Sequence, residues 1–175
     1  EPGVTLTTNK TQVDLEVGKE AQLKIVEVTT TADGKEKKVD VTKAATYKVA
    51  NSKIATVSNG LITAAKAGET TITAKYGKQE VNINVIVTEP VVTITANKTE
   101  INLEPGKEAQ LTIKEVITSA DGKTKQTDIT SLATYKSGNN KVAIVKTGLI
   151  TAKGVGSTTI TAKYGKNEVT INVTV

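Results

Sequence analysis

The sequence predicts an all-β chain folded as two tandem antiparallel β-sandwiches joined end to end. Three observations predict it: apolar residues recur with a period of two along short runs, no stretch sustains a helical stripe, and the second half of the chain repeats the first. Sliding the sequence by about 88 positions superimposes its halves without a gap, with roughly two-thirds of positions identical. GKEAQL occurs at 18–23 and 106–111, ATYK at 45–48 and 133–136, and TTITAKYGK at 70–78 and 158–166. The expected domains are residues 1–88 and 89–175.

Each element follows from local pattern. In the first copy Ala21, Leu23 and Ile25 alternate as one strand, and Asp33 with Gly34 makes the turn to the next extended run. Asn59 and Gly60 mark a second turn, before the strand at 61–64. Thr70, Ile72, Ala74 and Tyr76 share one face, with Thr71, Thr73 and Lys75 on the other. Gly77 and Lys78 then form a tight hairpin connection to VNINVIV at 81–87, where Val81, Ile83, Val85 and Val87 oppose Asn82 and Asn84. About seven to nine such segments fit in each copy, the count of a two-sheet sandwich. The expected core is Leu15, Leu23, Ile25, Tyr47, Val57, Ile62, Ile72, Val81, Ile83 and Val85. Its counterparts are Leu103, Leu111, Ile113, Tyr135, Val145, Ile150, Ile160, Val169, Ile171 and Val173. There are no cysteines, so aliphatic burial alone must stabilise each domain, at about 25 cal/mol per Å².

Composition narrows function. The 175 residues contain no His, Cys, Met, Trp or Phe. That removes the Ser-His and Cys-His nucleophiles, the imidazole base, and metal sites built on nitrogen and sulfur. Paired carboxylates remain chemically open. Glu16, Glu20, Glu104 and Glu108 are the candidates, but they fall at loop and strand-start positions beside Lys19 and Lys107, the setting of solvated carboxylates, so no enzyme is expected.

The net charge of +5 is carried by Lys without any Arg, and the lysines are dispersed. Nucleic acid is not an expected partner, whereas screened attraction to anionic cell-wall polymers is compatible with the excess. No run approaches the roughly 18 apolar residues of a membrane helix, so no membrane span is expected. The lack of any Met suggests a segment of a longer or processed protein.

The only metal the chain is equipped to hold is one with all-oxygen ligands, and Asp33, Asp40, Asp121 and Asp128 are the calcium candidates. Turn chemistry accounts for the same residues, and the dense spacing of a dedicated calcium loop is missing, so no cofactor is otherwise expected. Asn9-Lys10-Thr11 and its partner at Asn97 match a glycosylation pattern but read as turns. A Lys–Asn isopeptide link would need an apolar pocket enclosing both side chains. A sugar platform would rest on Tyr76 and Tyr164.

Residues 46–77 read TYKVANSKIATVSNGLITAAKAGETTITAKYG, and residues 134–165 read TYKSGNNKVAIVKTGLITAKGVGSTTITAKYG. An aromatic strand, a Ser/Asn-rich turn, and then VAxV-like, GxVTA-like and GxxTITA-like motifs resemble the bacterial immunoglobulin-like group 2 family in both copies. Tyr47 and Tyr135 stand where members often carry Trp. The resemblance implies immunoglobulin-like sandwiches in an extracellular, cell-surface bacterial protein, and it carries over no catalytic residue. It favours a non-catalytic spacer of a surface-layer (S-layer) protein, whose partners are neighbouring domains or further copies. The alternatives are an adhesive module for a host protein or wall glycan, and accessory domains of a wall-associated enzyme. The connection of Thr88, Glu89 and Pro90 has no Gly or Ser slack, which predicts a semi-rigid rod about 70 to 90 Å long.

Overall fold

The computed structural model describes residues 3–175, which contain strands and turns and no helix. They divide into two compact units, one ending at Pro90 and the other running from Val91 to Val175. The first unit contains β1 (Gly3–Thr8), β2 (Gln12–Glu16), β3 (Glu20–Gln22), β4 (Ile25–Thr30) and β5 (Glu36–Asp40). It continues with β6 (Thr46–Val49), β7 (Ala55–Ser58), β8 (Leu61–Ala64), β9 (Gly68–Tyr76) and β10 (Gln79–Thr88). The second unit repeats the order as β11 (Val91–Ala96), β12 (Glu100–Asn102), β13 (Glu108–Gln110), β14 (Ile113–Thr118) and β15 (Thr124–Asp128). It ends with β16 (Thr134–Ser137), β17 (Ala143–Lys146), β18 (Leu149–Ala152), β19 (Ser157–Tyr164) and β20 (Asn167–Thr174).

Each unit has more strands than the pattern suggests because two extended runs are broken. The alternating run through Ala21, Leu23 and Ile25 divides into β3, which pairs with β8, and β4, which pairs with β1 and β5. The other break, between β1 and β2, is held by Asn9. Its N–H donates to the Lys24 carbonyl (3.1 Å), and its side-chain oxygen accepts the Lys24 N–H (2.8 Å). Asn97 does the same against Thr112 in the second unit, so both Asn-Lys-Thr sequences are bends, as the sequence reading expects.

That bend corrects one expectation, since the sandwiches are not wholly antiparallel. In the first unit the sheets run β1-β4-β5, β3-β8-β7 and β2-β10-β9-β6, and β2 pairs with β10 in parallel. The bend shifts the chain from one sheet to another without reversing it, so β2 meets the free edge of the last strand running the same way. β12 and β20 repeat this in the second unit.

The side-chain period of two builds the core. Ile83, Val85 and Val87 of β10 are buried while Asn82 and Asn84 are exposed, and Ile72 and Ala74 of β9 face the same interior. Of the expected core, Leu23, Ile25, Ile62, Ile72, Ile83 and Val85 are buried, while Leu15, Tyr47, Val57 and Val81 pack half-buried against them. The second unit reproduces both sets at the corresponding positions. Further core residues are Leu6, Val13, Val41, Ala45, Ala55 and Ala64, whose small or isolated side chains give weak periodic signals. Every residue of β5 and β15 is exposed, so these edge strands lie beyond the core and carry polar residues on both faces.

Two hairpin turns have the backbone their residues require. Asn59 and Gly60 both have positive φ (49° and 80°) between the paired Ser58 and Leu61, the pattern of a type I′ turn. In the second unit Thr147 takes the place of Asn59 at φ 45°, a region costly for a β-branched residue.

Candidate functional site

The most ordered polar arrangement in each unit is the corner where β5 passes to β6. Asp40 closes β5, and one of its carboxylate oxygens accepts the Thr42 N–H (3.0 Å) and the Thr42 hydroxyl (2.6 Å). The Thr42 hydroxyl oxygen in turn accepts the Ile25 N–H (2.9 Å), tying the corner to β4. Tyr47 donates its hydroxyl to the Thr42 carbonyl (2.6 Å), so a half-buried ring in the core slot keeps its polar end satisfied. Asp128, Thr130, Ile113 and Tyr135 repeat the network, with a Tyr135-to-Thr130 bond of 2.7 Å.

These contacts set the charge states. The Thr42 hydroxyl, then its N–H, holds the Asp40 carboxyl below the usual carboxylate range, and Thr130 acts likewise on Asp128. Burial, then the nearby carboxylate, pushes both Tyr47 and Tyr135 upward. Beside the first corner lies an open depression of about 700 Å³ lined by Gln22, Asp40, Thr42, Lys43, Ser58 and Asn59, with Leu23, Ala44 and Leu61. Its hydroxyl, amide, carboxylate and ammonium groups equip it for hydrogen bonding.

The four calcium candidates are not gathered. Asp33 lies in the turn before β5 and Asp40 at its far end, as do Asp121 and Asp128 around β15. Asp33 accepts the Thr31 hydroxyl and pairs with Lys35 (3.0 Å), while Asp121 accepts the Lys123 N–H (3.1 Å) and pairs with its ammonium (3.2 Å). These contacts hold both carboxyls below their ordinary value, led by the Thr31 hydroxyl at Asp33 and by the Lys123 N–H at Asp121. Among the described residues no three Asp or Glu assemble as a metal-binding group.

Glu20 and Glu108 have structural partners. Glu20 accepts the Thr63 hydroxyl (3.3 Å) across β3 and β8, and Glu108 accepts that of Thr151 (3.0 Å); Glu16 is half-buried and Glu104 exposed. Every lysine is exposed, so none is enclosed as an isopeptide link requires. Tyr76 and Tyr164 pack half-buried on the cores, which leaves no exposed aromatic platform. Among the described residues no helix is long and apolar enough to cross a membrane. The sequence reading did not find the corner itself; its available signal was D-x-T followed five residues later by Tyr, present in both copies.

Comparison with known structures places this architecture. The chain matches domains 4 and 5 of the S-layer protein SbsC at TM-score 0.54 and 25% identity, covering 99% of this chain and 97% of that one. A longer SbsC crystal structure matches at TM-score 0.57 and 25% identity over 99% of this chain and 27% of that one. The fold is immunoglobulin-like. Both copies are immunoglobulin-like β-sandwiches in tandem, and their solved counterparts are domains of an S-layer protein.

A family model described as the hyaluronate lyase N-terminal beta-sheet domain matches residues 37–88. It differs from the bacterial immunoglobulin-like group 2 family that the sequence resembles, so the comparisons support the immunoglobulin-like fold without that family assignment. Ice-binding protein 1 of Shewanella frigidimarina is 30% identical over 139 residues, 78% of this chain. The chain spans only 15% of that relative's length.

Proposed function

We propose that this chain is a non-catalytic spacer pair of a bacterial cell-surface protein, and specifically of an S-layer protein. The observation that carries the reading is that both copies together match two consecutive S-layer domains across nearly their full length. The arrangement is consistent with a role played through shape: the polar corner repeated in both units ties strands together, and the exposed lysines offer a weak general attraction to anionic wall polymers. Partners on this reading are neighbouring domains or further copies of the same protein, outside the cell.

β10 ends at Thr88 and β11 begins at Val91, so only Glu89 and Pro90 connect the strands. Ordered two-dimensional arrays formed on wall fragments by the complete protein, and lost when these residues are deleted, are the expected result for the S-layer reading. Arrays unchanged by the deletion would overturn it.

The hyaluronate lyase match favours a second reading, accessory domains of a wall-associated, polysaccharide-acting enzyme. A catalytic domain in the flanking sequence would select it. Saturable binding of the chain to a single host protein or glycan would instead select adhesion.

A further inference from the structure

We infer that the depression beside the first unit's corner binds a neutral saccharide through Asp40, Lys43, Ser58 and Asn59, and that the second unit does not. The inference is separate from the spacer reading, since it assigns a ligand to one surface of one unit and needs no assembly.

The depression opens between the corner after β5 and the turn that joins β7 to β8, and its volume of about 700 Å³ falls within the range of small-molecule clefts. Its walls are fixed before any ligand arrives. Thr42 holds one oxygen of Asp40 (3.0 and 2.6 Å) and is itself anchored by the Ile25 N–H (2.9 Å). Gln22 Nε2 donates to the carbonyls of Leu23 (2.9 Å) and Asn59 (3.2 Å), which pins the turn and leaves Oε1 as the Gln22 atom able to accept. A Cβ on Gly60 would meet Thr42 Cγ2 at 2.6 Å and Gln22 Nε2 at 2.8 Å, so the two walls close together behind the turn. Preorganisation of this kind lowers the cost of binding.

The groups left over define the ligand. The second oxygen of Asp40, the Lys43 ammonium, the Ser58 hydroxyl and the Asn59 side-chain amide make no hydrogen bond to protein atoms among the described residues. An anion would face the Asp40 carboxylate, a cation would face Lys43, and an apolar ligand would leave all four groups unpaired. A sugar ring meets them together: neighbouring hydroxyls donate to a carboxylate and accept from an ammonium, while the C–H face rests on Ala44 and Leu61. No aromatic ring is among the lining residues, so the contact is made by hydrogen bonds instead of stacking. The second unit keeps Gln110, Asp128 and Thr130 but has Ser131 for Lys43, Leu132 for Ala44, Lys146 for Ser58 and Thr147 for Asn59. Leu132 is 62% exposed, a branched side chain standing where the first unit has a methyl group.

Nuclear magnetic resonance titration of the whole chain with cellobiose, maltose and chitobiose tests the inference. At least one of these sugars should saturably shift the main-chain amides of Lys43 and Asn59 and the Asn59 side-chain amide, while Ser131 and Thr147 stay unmoved. Ala44→Leu and Lys43→Ser each install the residue that the second unit already carries at that position, so melting temperature should hold in both. Ala44→Leu should weaken binding about ten-fold or more by occupying the depression, and Lys43→Ser about ten-fold through the loss of a charge-assisted hydrogen bond. No saturable shift with any of the three sugars, equal shifts around Ser131, or affinity that survives both substitutions would overturn the inference. None of these outcomes bears on the array experiment, which tests the spacer reading by itself.

Discussion

Replacing Thr147 by Asn should stabilise the second unit. Thr147 sits at φ 45° in the two-residue turn between β17 and β18, the position held in the first unit by Asn59 at φ 49°. In this left-handed region the Cβ approaches the following carbonyl, at a cost of roughly 1–2 kcal/mol for an ordinary L-residue, and a β-branched side chain cannot relieve it. Asparagine tolerates the region far better. The carbonyl of residue 147 accepts the Gln110 side chain at 3.4 Å, as Asn59 accepts Gln22 at 3.2 Å; both contacts use the main chain and survive the exchange. The expected gain is therefore about 1 kcal/mol, a rise of about 4–8 °C in the melting temperature of that unit. Calorimetry of the intact chain should show the change in one transition only. The reciprocal Asn59→Thr should lower the other transition by a similar amount. If Thr147→Asn is neutral or destabilising, or if Asn59→Thr costs nothing, the turn does not store the energy attributed to it.

Other outcomes are equally specific. A Cβ on Gly60 would stand 2.6 Å from Thr42 Cγ2 and 3.1 Å from the Leu23 carbonyl oxygen, at φ +80°, so Gly60→Ala should destabilise the first unit by about 1–3 kcal/mol in urea denaturation. Tyr47→Phe keeps the ring but strips the Thr42 carbonyl of its donor, and should cost about 1–3 kcal/mol by the same measurement. The pH dependence has two limbs. Folding lowers the Asp40 and Asp128 pKa values, so the unfolded chain protonates first; their contribution is present above about pH 5 and lost as pH falls from about 4 through their lower folded values. Folding raises Tyr47 and Tyr135, so their contribution is present below about pH 9 and lost as pH rises through 10 and above. Asp40→Asn should reduce the acid limb, and Tyr47→Phe the alkaline limb, of the first unit's transition in thermal melts across pH, leaving the second unit's unchanged.

The duplication, the all-β class, the hairpins at Asn59-Gly60 and Gly77-Lys78, and the buried faces of β9 and β10 follow from the sequence alone. A side-chain period of two and the φ demands of Gly and Asn act within a few residues, where pattern can be read directly. Tertiary structure decided what depends on residues far apart in the chain. Asn9 reaching Lys24 bends the first strand into a second sheet, and only then does β2 run parallel to β10. Asp40, Thr42 and Tyr47 lie close in sequence, yet their corner is anchored by Ile25 on β4, and the candidate aspartates stay apart because β5 holds its two ends extended. Ala55 and Ala64 are core residues because they stand opposite each other on β7 and β8, both turned inward, and a single alanine does not announce its neighbours. Local geometry is written in adjacent side chains, whereas sheet partnership is a long-range choice made by whichever edge is free when the chain comes past.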